Sequence, residues 1–281
     1  MKDALKRIKR QKNLMVGGTI TLLVVAMALF APWLAPYDPV DHADLRHSEE
    51  PPNRDYIFGT DNQGRDILSR VIYGSRISLS VGLVSQGLNS LIGIFLGLTA
   101  GFIGRKWDDM VMGLTNILLS IPSLVFALAI MAVLGPGLLN IFLALGFTNW
   151  AYSCRITRSQ VLSARSLDYV IAARALGYGR SRIMFSQILP NVLGPILVVA
   201  TLGVAGAILL EASLSFLGLG AQPPTPSWGG MLSTAREQLF TAPWISIFPG
   251  VAIFVTVLGL NLLGDGLRDI LDPHTVRQRR G

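Results

Sequence analysis

Charge is missing from long stretches of this sequence. No Asp, Glu, Lys or Arg occurs in Leu14–Leu34, Ile77–Gly104, Met110–Leu134, Leu138–Cys154 or Ile245–Gly264, and Val192–Leu219 holds one, Glu211. A helix of about 20 apolar residues spans the hydrocarbon core of a bilayer. Inside lipid the backbone must satisfy its own polar groups, so such runs are expected to be helical. The composition agrees: 51% of the 281 residues are hydrophobic and 15% charged, against about 25% charged in a soluble domain. The expected fold is all-α, a polytopic membrane protein with six transmembrane helices. Pro122 and Pro249 lie inside two of the runs, and neighbouring helices can re-satisfy the backbone groups they free.

Lysine and arginine orient these spans. With the N-terminus inside, the cytoplasmic segments carry 18 of the 24 basic residues and the outer segments 6. Basic residues concentrate on the cytoplasmic side of multispanning proteins, which predicts both termini inside. The same rule accounts for the net charge of +7, so nucleic-acid binding is not inferred. Lys6–Lys12 followed by Leu14–Leu34 has the outline of a secretory leader, with Ala26-Met27-Ala28 resembling a cleavage site. The run is longer than the roughly 7–15 residues of a leader core, which predicts a retained first span. One cysteine, Cys154, excludes a disulfide within the chain.

The longest cytoplasmic insert, residues 155–191, is more than a connector. Its second half reads Asp168-Tyr-Val-Ile-Ala-Ala-Arg-Ala-Leu-Gly-Tyr-Gly-Arg-Ser-Arg-Ile-Met-Phe-Ser-Gln-Ile-Leu-Pro-Asn191. Tyr169–Leu176 is expected to form a short helix, because Ala172, Ala173 and Ala175 are strong helix formers. Gly177 is expected to end it. A second helix is expected over Arg180–Leu189, stopped by Pro190. Small residues admit a close partner surface, while Arg174, Arg180 and Arg182 keep the segment in water. The insert therefore reads as a handle for a soluble partner. No Gly-Lys pair occurs anywhere, so the chain lacks a phosphate-binding loop of the Gly-x-x-x-x-Gly-Lys-Ser/Thr kind. No nucleophile–base arrangement is evident, and catalysis is not expected.

Ala172-Ala173-x-x-x-Gly177 followed by Leu189-Pro190 resembles the coupling loop of importer-type ABC permeases. Ile171 stands where that family carries Glu and Gln187 where it carries Ile, so no salt bridge is transferred from that Glu. Phe58-Gly-Thr-Asp-Asn-Gln-Gly-Arg-Asp-Ile-Leu-Ser-Arg70, Leu214–Gly229 and Asn261–Pro273 resemble the dipeptide/oligopeptide/nickel group, specifically its shorter, C-type subunit. This resemblance implies half of a translocation pathway for dipeptides or oligopeptides. It also implies a second permease subunit, two cytoplasmic ATPase subunits that bind the ATP, and an extracytoplasmic binding protein. The permease would hold no cofactor itself and would lie in a bacterial or archaeal plasma membrane. The loop residues carried over are Tyr169, Ala172, Ala173, Arg174, Gly177, Leu189 and Pro190. Residues 1–75 would be tail, first span and outer loop, and residues 76–281 a five-helix core. Nickel import, a signalling or scaffolding role and a standalone channel are the alternatives.

Three further features call for explanation. The outer motif Gly59, Thr60, Asp61, Gly64, Arg65 and Asp66, with Arg70, suits local bracing by Asp–Arg pairs and turns better than contact with the binding protein. His42 and His47 are possible metal ligands, although a solvated loop is the simpler expectation. Glu211 is costly within a span and should face the bundle interior. Its expected role is structural, an ion pair or a hydrogen bond, with Arg76 a candidate partner; the alternative is a substrate ammonium. Pro223–Trp228 is expected to rim the outer mouth or to anchor at the interface.

Overall fold

The computed structural model describes residues 11–271. Most of the basic run Lys6–Lys12 lies outside the described residues, as do His274 and the last two residues of the Asn261–Pro273 motif. Eleven helices account for the architecture: α1 (Lys12–Leu29), α2 (Ala31–Leu34), α3 (Ile67–Ile103), α4 (Arg105–Ser120), α5 (Ser123–Leu134), α6 (Leu138–Thr148), α7 (Trp150–Ala164), α8 (Asp168–Ala175), α9 (Arg180–Phe216), α10 (Trp228–Thr234) and α11 (Trp244–Leu271). The one bridge outside helices joins Thr60 to Asp66.

Helix α3 is the axis of the bundle, touched by α1, α2, α4, α6, α7, α9, α10 and α11. It starts ten residues before the apolar run, at the Asp66 cap, whose carboxylate accepts from the Ser69 amide at 2.8 Å and the Ser69 hydroxyl at 2.6 Å. Its 37 residues give a length of about 55 Å, well beyond a hydrocarbon core of about 30 Å. Burying apolar area drives little helix association in lipid, so close contact between backbones matters more. Gly93, Gly97 and Gly101 supply it against α7. A Cβ at these positions would sit 2.5 Å from Ser153 Cβ, 2.5 Å from the Cys154 carbonyl oxygen and 3.0 Å from Val161 Cβ.

Four helices, α1, α3, α9 and α11, are long and apolar enough to cross a membrane unbroken. The expected span Met110–Leu134 is instead the pair α4 and α5, bent by 92°. Pro122 explains the break: it pushes the residue before it out of helical geometry, and Ile121 sits at φ −96°, ψ 127°. Counting that pair gives up to five spans by length and composition. The expected span Leu138–Cys154 is divided at Asn149 into α6 and α7, of 11 and 15 residues. By length and composition the described residues thus hold four unbroken spans, or five with the bent pair, and a count of six needs α6 and α7 to cross together.

Pro190 does not stop its helix. The chain is helical from Arg180 to Phe216, with a π-helical turn over Ile183–Ile188 immediately before Pro190. The wider turn shifts the hydrogen-bond register just where proline has no N–H to give, and helical turns of this kind recur at functional positions.

Candidate functional site

Helix α8 is short, and its two faces differ. Val170 and Ala173 are buried with Leu98, Val161, Ala164, Ile183 and Ile188, which fixes α8 to the inner ends of α3, α7 and α9. Ala172, Arg174 and Ala175 face outward, as do Ile171, 54% exposed, and Leu176, 73% exposed. Gly177 has φ +76°, a conformation in which a Cβ is strained. Its N–H donates to the Arg174 carbonyl at 3.0 Å, and the Tyr178 N–H donates to the Ala173 carbonyl at 3.1 Å. These two bonds form a Schellman termination. No other atom lies within 4 Å of where a Gly177 Cβ would be, so the glycine serves the turn and leaves its outer side open. Arg182 lies over the Tyr178 ring at 4.2 Å and Arg174 over Phe102 at 5.5 Å, which sets the outward basic positions. Tyr169 is partly buried with its hydroxyl enclosed, and Leu189 and Pro190 lie on α9.

The outer motif is turned in on itself. The Asp61 carboxylate accepts from the Gln63 amide at 2.8 Å and the Arg65 amide at 3.0 Å. It also accepts from Arg65 Nε at 2.8 Å and lies 3.5 Å from Arg70 Nε. Arg65 and Arg70 are 4% and 6% exposed, and Arg70 Nη1 donates to the Pro39 carbonyl at 2.9 Å. The Thr60 hydroxyl donates to the His47 carbonyl. Gly64, at φ +70°, lies so close to Asp44 that a Cβ would overlap the Asp44 carbonyl. Gly59 packs in the same way against Glu50 and Trp244. Preceding residues follow suit: the Asp38 carboxyl is held below its ordinary range by the Asp41 and Val40 amides, and burial raises the Tyr56 phenol. His47 is tied to Glu50 at 2.8 Å, and His42 stacks on Tyr37. Among the described residues no three His, Cys, Asp or Glu side chains come together as a metal site.

Glu211 is fully buried, as its position required, but Arg76 is not its partner: that side chain is exposed and makes no ion pair with it. Serine hydroxyls hold the carboxylate instead, Ser215 at 2.7 Å and Ser78 at 3.3 Å. The two positions at i and i+4 on α9 share a face, whereas Arg76 leaves α3 from a different side than Ser78. The Ser78 hydroxyl in turn accepts from the Trp228 amide at 3.4 Å. Trp228 is wholly buried and donates from its indole to the Val71 carbonyl at 2.9 Å, so it does not anchor at the membrane interface. Carboxylate, hydroxyls and indole thus tie α3, α9 and α10 together near the outer end. Ser78 and Ser215 carried no signal in the sequence beyond being small polar residues in apolar runs.

Comparison with known proteins gives the family of the chain. The sequence model of the family described as "Binding-protein-dependent transport system inner membrane component" matches residues 93–277, and that of the "N-terminal TM domain of oligopeptide transport permease C" matches residues 1–52. The di/tripeptide transport system permease protein DppC of Pseudomonas aeruginosa (strain UCBPP-PA14) is 44% identical, over 97% of this chain and 92% of its own length. The oligopeptide transport system permease protein OppC of Bacillus subtilis (strain 168) is 43% identical, over 97% and 89%. The glutathione transport system permease protein GsiD of Pectobacterium atrosepticum is 40% identical, over 95% and 89%. Matched over most of its length, the chain belongs to the family of inner membrane components of binding-protein-dependent transport systems.

Proposed function

We propose that this permease subunit imports dipeptides or oligopeptides, as half of a heterodimeric pathway. The near-full-length similarity to a di/tripeptide permease carries this reading. In it, a second permease subunit completes the path, two ATPase subunits bind and hydrolyse ATP, and an extracytoplasmic binding protein delivers the peptide. Helix α8 and its Gly177 turn are the ATPase contact. The outward Ile171, Ala172 and Leu176 offer apolar contact, and Arg174, Arg180 and Arg182 offer charge. The outer motif braces the extracytoplasmic end. Six passes with both termini in the cytoplasm follow if α4–α5 and α6–α7 each cross once, in a plasma membrane that is the inner one in a Gram-negative cell.

Uptake of labelled tri-alanine by cells with and without the chain, all other subunits present, tests the substrate. Equal uptake would reject it. Topology is tested separately in a Cys154→Ala background. Single cysteines at the exposed positions Ser166 and Ser181 should react only from the cytoplasm, and one at Ser48 only from outside. Labelling of Ser166→Cys in intact cells would reject the orientation.

A further inference from the structure

A groove runs between α7 and α9, from the break at Asn149 toward the inner-loop end of both helices, its mostly apolar lining interrupted by several polar side chains. Its upper part, about 260 Å³, is lined by Gln86, Asn149, Tyr152, Ser153, Leu202 and Gly203, among others. Its lower part, about 470 Å³, shares Tyr152, Val199 and Leu202 with the upper and continues past Gln160 to Arg268. Tyr152 lies roughly 20 Å from either end of the α6–α7 pair at the helical rise. It is 54% exposed. Among the described residues, no hydrogen bond reaches the side chains of Asn149, Tyr152 or Gln160 or the Gln86 carbonyl oxygen; the Gln86 amide nitrogen donates to Ser90 at 3.1 Å.

A row of unpartnered polar side chains at this depth does not suit lipid, where each unmet group is costly. Lipid-facing positions look different: Leu91 and Phe95 of α3 are exposed and apolar. The break at Asn149 is what opens the groove. Asn149 leaves helical geometry and gives its backbone N–H to Asn89 Oδ1 at 3.1 Å, which turns its own amide toward the cavity. Gly203 keeps α9 close, since a Cβ there would overlap the Gln86 carboxamide. Two carboxamides, a phenol and a third carboxamide present both donors and acceptors. No charge lines the groove before Arg268. That chemistry matches the amides of an extended polypeptide and ignores its side chains.

We propose that this groove carries the backbone of a peptide through the inner half of the membrane, with Gln86, Asn149, Tyr152 and Gln160 as its hydrogen-bonding positions. The inference rests on the peptide-import reading. The test uses the assembled complex with binding protein and ATP, in inside-out membranes, with Cys154→Ala as parent. Tyr152→Cys and Gln160→Cys should react with a charged methanethiosulfonate roughly ten-fold faster than Leu91→Cys, because only an aqueous path admits the reagent. Tri-alanine should slow both reactions several-fold. Asn149→Ala should raise the apparent KM for tri-alanine about five-fold, the loss of one hydrogen bond, with ATPase activity at saturating peptide retained. Reaction as slow as at Leu91→Cys would mean that the second subunit covers the groove, and would overturn the proposal. So would reaction that tri-alanine leaves unchanged. Uptake by the parent separates the two readings: a parent that imports no tri-alanine defeats both, whereas an importing parent with an inert groove defeats only this one.

Discussion

The loop that leads into α3 and the loop that leads into α9 both carry arginines and both turn at glycine with positive φ, although the first is net acidic and the second net basic. They finish in opposite states. In the outer loop the charges of the motif are buried and paired: Arg65 and Arg70 converge on Asp61, and Asp66 is consumed by the α3 cap. In the inner loop the apolar residues are uncovered, with Leu176 and Ile171 facing solvent while only Val170 and Ala173 tie the helix down. Glycine also plays different parts. Gly64 is enclosed so tightly that nothing else fits, whereas Gly177 has open space around it. The outer loop satisfies itself and needs no partner to be stable. The inner loop leaves apolar side chains uncovered, at the place where the proposed ATPase contact falls.

The largest effect is expected where that self-sufficiency is broken. Asp61→Ala leaves two buried guanidinium groups without their carboxylate. It should cost about 3–5 kcal/mol, the penalty for orphaning a buried charge, read as a large drop in the unfolding temperature of the detergent-solubilised complex. Stability close to the parent's would mean that the pair is not a brace. Glu211→Leu should cost about 1–3 kcal/mol by leaving the Ser78 and Ser215 hydroxyls unmet, and Glu211→Gln clearly less. Equal losses would point away from the serine network. On the inner side, Gly177→Val strains the turn by about 1–2 kcal/mol without touching a neighbour. Insertion should persist while transport and peptide-stimulated ATP hydrolysis fall together; normal transport by a fully expressed variant would remove Gly177 from the coupling role. Leu176→Ser should change the unfolding temperature least, within about 0.5 kcal/mol as for other exposed sites, yet weaken retention of the ATPase subunits on purification. Should it destabilise the isolated permease as much as Asp61→Ala does, the contrast between the loops would be lost.

The all-helical fold, the two-part inner loop and the Gly177 stop were legible from charge segregation and helix formers, because lipid and backbone geometry impose those patterns locally. What was not legible depended on partners distant in sequence. Glu211 had a charged candidate in Arg76, but two hydroxyls took the carboxylate instead, Ser215 one turn along its own helix and Ser78 across on α3. Trp228 read as an interfacial residue until the Val71 carbonyl gave its indole a buried acceptor. The start of α3 was missed because Arg70 and Arg76 interrupt the apolar pattern, although Asp66 with Ser69 three residues on was a capping signal in plain view. Both prolines misled in opposite directions. Pro122 broke a span expected to continue, with an extended residue before it, and Pro190 continued a helix expected to end, because a π turn precedes it.

That uninterrupted Arg180–Phe216 helix makes the inner loop and the outer carboxylate two points on one lever. At the helical rise its length is about 55 Å, so a tilt of a few degrees imposed at its inner-loop end carries over into ångströms at Glu211, less whatever its joints take up. The lever has two compliant joints, the π turn beside Pro190 and the missing backbone bond at Pro195, both in the half nearer the inner loop. Above them it is stiff. In the proposed import cycle, a stroke delivered at the loop would first be taken up as bending and only then reach the Glu211–serine cluster as force, so small thermal rocking of the tip would be absorbed and a full stroke would not.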